Sequence, residues 1–226
     1  MNFLIDKTMP ENMTEKLKSL GKLYFSANSN IEDVSVSTHP DTQIHFVNKK
    51  AAYMAPELYA YYRKILPYDV ELFKGNSYIG RTYPECCAYN IASVGKTVIC
   101  NTKYAEKNIL EYYRKNNYEI IHINQGFAKC NICVLPNGIM VTEDMGIYNT
   151  LKKHNKKIYR ITHGFVKLAG FEYGFIGGAT GVFEDKLITC GNINSDEFKA
   201  LLNKLNIEYI ELPGNGLLDC GSIISF

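Results

Sequence analysis

Three short stretches hold residues able to do chemistry. "HPDTQIH", His39–His45, sets two imidazoles and a carboxylate around the start of an apolar run. An acid beside two general bases can hold a cation and move protons. The same letters also read as an Asp-Thr turn in which Pro40 sets the bend. "LLDCGS", Leu217–Ser222, carries a thiol, Cys220, next to a carboxylate, Asp219. That neighbour would raise the thiol pKa, so nucleophilic use of Cys220 needs a cation close by; the alternative is a small residue in a crowded strand. "KGNSYIGRTYPECC", Lys74–Cys87, is a polar link with Arg81 and Glu85. Arg81 could hold a carboxylate through its two-pronged donor face or simply be solvated.

Other motifs lead to plainer readings. "CNIC", Cys130–Cys133, falls on an expected strand, where residues three apart face opposite ways. No second Cys-x-x-Cys completes a zinc set, so two buried structural thiols are expected and no metal. "NIASVGKT", Asn90–Thr97, lacks the first glycine of a phosphate loop, and a strand follows it where a helix is required. "GFIGGATG", Gly174–Gly181, has the wrong spacing for a dinucleotide fingerprint; its glycines suit close packing of the backbone.

A repeat along the chain must position these residues. "TQIHFVNKKAAYMAPELYAYYRKILPYDVELFK" reads strand, turn, strand, helix, strand. The same order returns from Ala88, Lys129 and Tyr173, with turns at Gly95-Lys96, Pro136-Asn137-Gly138 and Glu184-Asp185-Lys186. Matching strand starts fall near 43, 88, 130, 174 and 217, spaced by 42 to 45 residues. The fifth unit holds only its first strand. The N-terminus supplies the remainder: "NFLIDK", a helix through "PENMTEKLKSLG" and "KLYFSA". The last strand should therefore pair with the first, which leaves no open edge. The expectation is one domain, 1–226, with units at 217–226 plus 1–26, 42–74, 86–124, 129–162 and 173–213. By position in the repeat, His45, Asn90, Asn131 and Asp219 should face one polar centre.

Five such α/β units closed by the chain termini resemble the pentein fold, the α/β propeller with a pseudo-fivefold axis found in guanidine-modifying enzymes. That superfamily includes arginine and agmatine deiminases, dimethylarginine hydrolases and amidinotransferases, together with a non-catalytic ribosome anti-association factor. The resemblance implies an enzyme of hydrolase or amidinotransferase type. Cys220 would be its nucleophile, with His45 or His39 as acid/base. Asp41, Glu85, Asn90, Asn131, Asp219 and Arg81 would contact substrate, and no cofactor would be needed. The third unit opens on "AKCNIC", without the His-x-Asp of the related deiminases. That departure favours the alternative, a non-catalytic binding protein on the same ring.

Composition narrows the partners. With 226 residues, 46% hydrophobic and 21% charged, the chain can bury a sizeable core. A net charge of +2 with no dense basic run gives no nucleic-acid footprint. No run reaches membrane-spanning length, and "MNFLIDKTMPENM" is no secretory signal. The seven cysteines then suit a reducing cytoplasm. A small, guanidinium-type molecule is the expected partner, with homodimerisation left open.

Overall fold

A computed structural model describes residues 1–226. The fold is mixed α/β, with five three-stranded sheets and one two-stranded sheet. Four of the three-stranded sheets share one connectivity. A strand forms a hairpin with the next, the chain passes through a helix, and the third strand returns parallel to the second. Ile44–Asn48, Ala51–Met54 and Glu71–Lys74 form one such sheet. Ala92–Val94, Thr97–Cys100 and Glu119–His122 form another. Ile132–Val134, Met140–Thr142 and Ile158–Arg160 form the third. Thr180–Phe183, Lys186–Thr189 and Tyr209–Glu211 form the fourth.

The fifth sheet joins the two ends of the chain. Asn2–Ile5 lies between Lys22–Phe25, parallel to it, and Ile224–Ser225, antiparallel to it; Phe3 faces Ser225 and Leu4 faces Ile224. Phe226 donates and accepts backbone hydrogen bonds with Asn2 (3.0 and 3.1 Å), so the terminal backbone is paired. Leu217–Leu218 does not belong to this sheet. It pairs with Val166–Lys167 from the link between the third and fourth units.

Local chemistry sets the element ends. Ser195, Asp144 and Glu106 each accept a backbone N–H at the start of the helices Asp196–Lys204, Met145–Lys153 and Lys107–Lys115. Each of these helices stops at an asparagine in the left-handed region: Asn206 (φ 53°), Asn155 (φ 55°) and Asn117 (φ 58°). The next N–H then reaches back to the last turn, from Ile207, Lys156 and Tyr118 to the carbonyls of Leu202, Leu151 and Tyr113. The hairpin at Gly95 turns through φ 55°, which glycine adopts without strain.

The first strands of the second, third and fourth of these sheets start later than the repeat suggests, at Ala92, Ile132 and Thr180. Short turns precede the first strands of the first three sheets: Pro40–Thr42 and Glu85–Cys87 are 3-10 turns, and Ala128–Asn131, where a strand was expected to open near 130, is one helical turn. This corrects the reading of "CNIC", whose first half is helical. Cys133 alone lies on the strand, in a separate apolar cluster with Ile176 and Leu187. The largest core cluster lies under the first two sheets, where Tyr62, Tyr113 and Met54 are fully buried and Phe226 stacks on Phe46 at 4.6 Å.

Candidate functional site

The turns that precede the first strands carry the polar residues of the interior. Asp41 is 2% exposed, and its Oδ2 accepts hydrogen bonds from Cys130 Sγ (3.0 Å) and Ser222 Oγ (2.8 Å). Lys129 Nζ donates to Ser222 Oγ at 3.2 Å. Asn90 fixes the helical turn that presents Cys130. Its Oδ1 accepts the backbone N–H groups of Lys129 (2.7 Å) and Cys130 (3.2 Å), while its Nδ2 donates to Cys130 Sγ (3.1 Å). Three turns, about 40 to 90 residues apart in sequence, thus converge on one thiol.

His39 sits between two carboxylates. Nε2 is 3.9 Å from Asp6 Oδ2, and Nδ1 is 3.8 Å from Asp219 Oδ1. Asp6 is held by Thr8 N (2.6 Å) and by Thr38 Oγ1 (2.9 Å). Asp219 accepts from Phe175 N (2.9 Å) and Gly221 N (3.0 Å). Two glycines make room for this arrangement. A Cβ at Gly178 would fall 2.0 Å from Asp219 Oδ1, and one at Gly221, where φ is +62°, would fall 2.3 Å from the Cβ of His39. The glycine-rich stretch therefore serves close packing.

Two cavities flank this layer. The larger, about 680 Å³, has Cys130, His39 and Asp219 among its lining residues, with walls from Tyr83, Phe127, Phe171, Tyr173 and Phe175. The smaller, about 250 Å³, is lined by Asp41, His45, Lys129 and Thr180 among others. Asp41 thus lies behind Cys130, between the two spaces.

The layer is rich in buried acid. Asp6, Asp41 and Asp219 are each at most 4% exposed. Lys129 reaches Asp41 through Ser222, and the His39 imidazole lies between Asp6 and Asp219. Burial, and secondarily Asp41, pushes the Asp219 carboxyl above its ordinary pKa, while His39 pulls it down. The Cys130 thiol is raised well above its usual value by burial and by Asp41 and Asp219. Asp41 Oδ1 has no hydrogen-bond partner, a cost a bound donor or cation would offset. A nitrogen of His39, an oxygen of Asp41 and the sulfur of Cys130 lie within 4.8 Å of one another. That mixed donor set would suit a thiophilic divalent cation.

The residues singled out from sequence are placed as follows. His39, Asp41, Asn90 and Asp219 come together in this layer. His45 does not join His39: it lines the smaller cavity, where its Nε2 lies 2.6 Å from Tyr113 Oη. Burial first, then the Lys129 charge, lower its pKa to about 3, so it is neutral near pH 7. Cys220 lines neither of these cavities. It packs with Phe3, Ile5 and Cys190, and the contact with Cys190 together with burial raises its thiol well above the ordinary value. Asn131 donates to the Phe127 carbonyl (2.9 Å), lines neither cavity, and does not share the centre expected for it. Glu85 is exposed and also lines neither. Arg81 stands at the mouth of the larger cavity in an exposed pair with Glu32 at 3.0 Å. Sequence reasoning missed Asp6, just past the apolar strand Asn2–Ile5, and set Cys130 aside as structural. The shared pre-strand position of Asp41, Asn90, Cys130 and Asp219 is the signal that could have found Cys130.

Solved structures with this fold include a dimethylarginine dimethylaminohydrolase and an arginine dihydrolase. A dimethylarginine dimethylaminohydrolase, captured as an adduct with S-methyl-L-thiocitrulline, superposes with a TM-score of 0.59 at 9% identity over 94% of this chain and 92% of its own. The N-terminal domain of ArgZ, an arginine dihydrolase from the ornithine–ammonia cycle in cyanobacteria, gives 0.59 at 10% identity over 94% and 91%. Unliganded AgrE gives 0.58 at 12% identity, over 94% of this chain and 36% of that longer one. The chain thus has the pentein-type fold of these enzymes. Within it, the chain belongs to the family of unknown function DUF6873, whose model matches residues 4–224. No curated protein matches the sequence.

Proposed function

We propose that this protein is a guanidine-modifying enzyme of the pentein type, a single domain whose five units surround a pseudo-fivefold axis. A substrate guanidinium sits on the floor of the larger cavity. The observation that carries this reading is the placement of a thiol, an imidazole and buried carboxylates at the end of one cavity: Cys130, His39 and Asp219, with Asp41 behind them. Buried acid without matching base selects a cation, and a planar cation with several N–H donors satisfies more than one carboxylate at once.

The chemistry follows from those groups. The guanidinium charge lowers the thiol pKa on binding, which offsets Asp41 and Asp219. Cys130 gives its proton to His39, and Sγ attacks the central carbon of the guanidinium. The C–N bond breaks as His39 returns that proton to the departing amine, leaving a thiouronium on Cys130. Water gives a proton to His39 and attacks the same carbon, the C–S bond breaks as the adduct's hydroxyl proton passes to sulfur, and a urea, the thiol and a protonated His39, which releases its proton to solvent, result. An amine in place of water would make the reaction an amidino transfer.

A second reading, binding without turnover, is favoured by one observation: the Cys130 thiol donates to a carboxylate and has carboxylates as its nearest charges. All seven cysteines are free thiols, which supports a reducing, cytoplasmic setting. Calorimetric titration with methylguanidine, paired with an assay for released amine or ammonia, tests the proposal. Binding should weaken at least ~10-fold in Asp219→Asn, by loss of a charge-assisted hydrogen bond. Turnover should vanish in Cys130→Ser while binding stays. Binding in the wild type without turnover selects the second reading; no binding rejects both.

A further inference from the structure

The walls of the larger cavity define what the rest of the ligand must be. Above the floor the lining is aromatic and aliphatic: Tyr83, Phe127, Phe171, Tyr173 and Phe175, with Leu168 among the aliphatic groups. Phe171, Tyr173 and Phe175 come from the link between the third and fourth units, which Val166–Lys167 ties down by pairing with Leu217–Leu218. A cavity of about 680 Å³ is far larger than a bare guanidinium and falls in the range that holds drug-sized ligands.

The charges at the mouth are mostly acidic. Glu32, Asp33 and Arg81 line it, and Arg81 is engaged by Glu32 at 3.0 Å. No other lysine or arginine lines this cavity. A carboxylate entering here would meet two like charges and an arginine already paired, so the carboxylate of an amino-acid head group has no built partner. Apolar tail atoms would instead displace water from the aromatic rings.

We infer that the substrate is a guanidine or amidine with an apolar alkyl or aryl tail and no carboxylate. The inference rests on the reading that the floor takes the guanidinium. Its test separates head from tail by calorimetric titration with methylguanidine, 4-phenylbutylguanidine and arginine. The expected order puts 4-phenylbutylguanidine at least ~10-fold tighter than both others, in line with burial of several methylene groups and a ring. Glu32→Gln, at an exposed position that leaves the floor intact, should free Arg81 and tighten arginine selectively. Arginine binding as tightly as the phenylbutyl compound to the unaltered protein would overturn the inference and leave the guanidinium floor standing. Methylguanidine equal to the phenylbutyl compound would show that the walls contribute nothing, and would likewise overturn the inference without touching the floor. If none of the three binds, the floor itself is refuted and the inference with it.

Discussion

Replacing Asp41 by Asn should make Cys130 more reactive. The buried carboxylate sits 3.0 Å from the sulfur and accepts its proton, so it favours the thiol over the thiolate. Like charges at 3.0 Å repel by about 1.4 kcal/mol even at the dielectric constant of water, and by several times more in a protein interior. An increment of about 1.4 kcal/mol is tenfold in the thiolate population. An asparagine amide can also donate to the thiolate and stabilise it further. Iodoacetamide is neutral and so reports thiolate without attraction to the acidic floor. With near-neutral pH held constant and the site read by peptide mass spectrometry, Asp41→Asn should speed alkylation of Cys130 at least ~10-fold. An unchanged or slower rate in a folded Asp41→Asn protein would refute the electrostatic account of this thiol.

Further outcomes follow from the same geometry. Glu143, 7% exposed, has its pKa raised to about 7, mainly by burial. Its protonated form is favoured in the folded state, so the stabilisation is full below the unfolded value of 4.5 and is lost as pH rises through about 7. Urea midpoints should fall between pH 5 and pH 8 by about 3 kcal/mol of stability from this group, and Glu143→Gln should flatten that slope. Gly178→Ala would drive a Cβ to 2.0 Å from Asp219 Oδ1 and should cost about 1–3 kcal/mol, read as a lowered melting temperature. His39→Asn should weaken methylguanidine binding or abolish turnover, whereas His45→Gln, at the other cavity, should leave binding within about twofold, a change smaller than ~0.5 kcal/mol. Zinc should slow alkylation of Cys130 and leave Cys100 unaffected, since only the former shares a compact His/Asp/Cys set.

Sequence periodicity carries most of this fold and only part of its site. Hairpins at Asn48-Lys49-Lys50, Gly95-Lys96 and Pro136-Asn137-Gly138 stand where turn chemistry puts them, because turns and alternating strands are local signals. That the chain's last strand lies beside its first was legible because an incomplete repeat must find its missing part, although only Ile224–Ser225 of the expected strand pairs there. The asparagines at 117, 155 and 206, each closing a helix in the left-handed region, are a repeat signature that hydrophobic patterning does not reveal. The site was harder for a physical reason. Its residues lie on irregular turns just before the strands, where neither period holds. Treating residues 128–131 as strand turned Cys130 into one of two opposed structural thiols. His45, expected to share one centre with Asn90, Asn131 and Asp219, stands one position into its strand, against Tyr113, in the smaller cavity. Asp41 and Asp219 were legible because an acid beside a turn or a thiol is chemically conspicuous even without a period.

The claim that a guanidinium rests against Cys130 is tested most directly by 2-chloroacetamidine, a cationic alkylating analogue of the substrate group. Peptide mapping after brief treatment near neutral pH should find Cys130 modified ahead of the other six cysteines, with methylguanidine protecting it. The positive reagent would be drawn to Asp219 and Asp41 and would itself lower the thiol pKa on arrival. Modification at Cys220 with Cys130 untouched, or labelling of Cys130 that methylguanidine does not slow, would contradict the account.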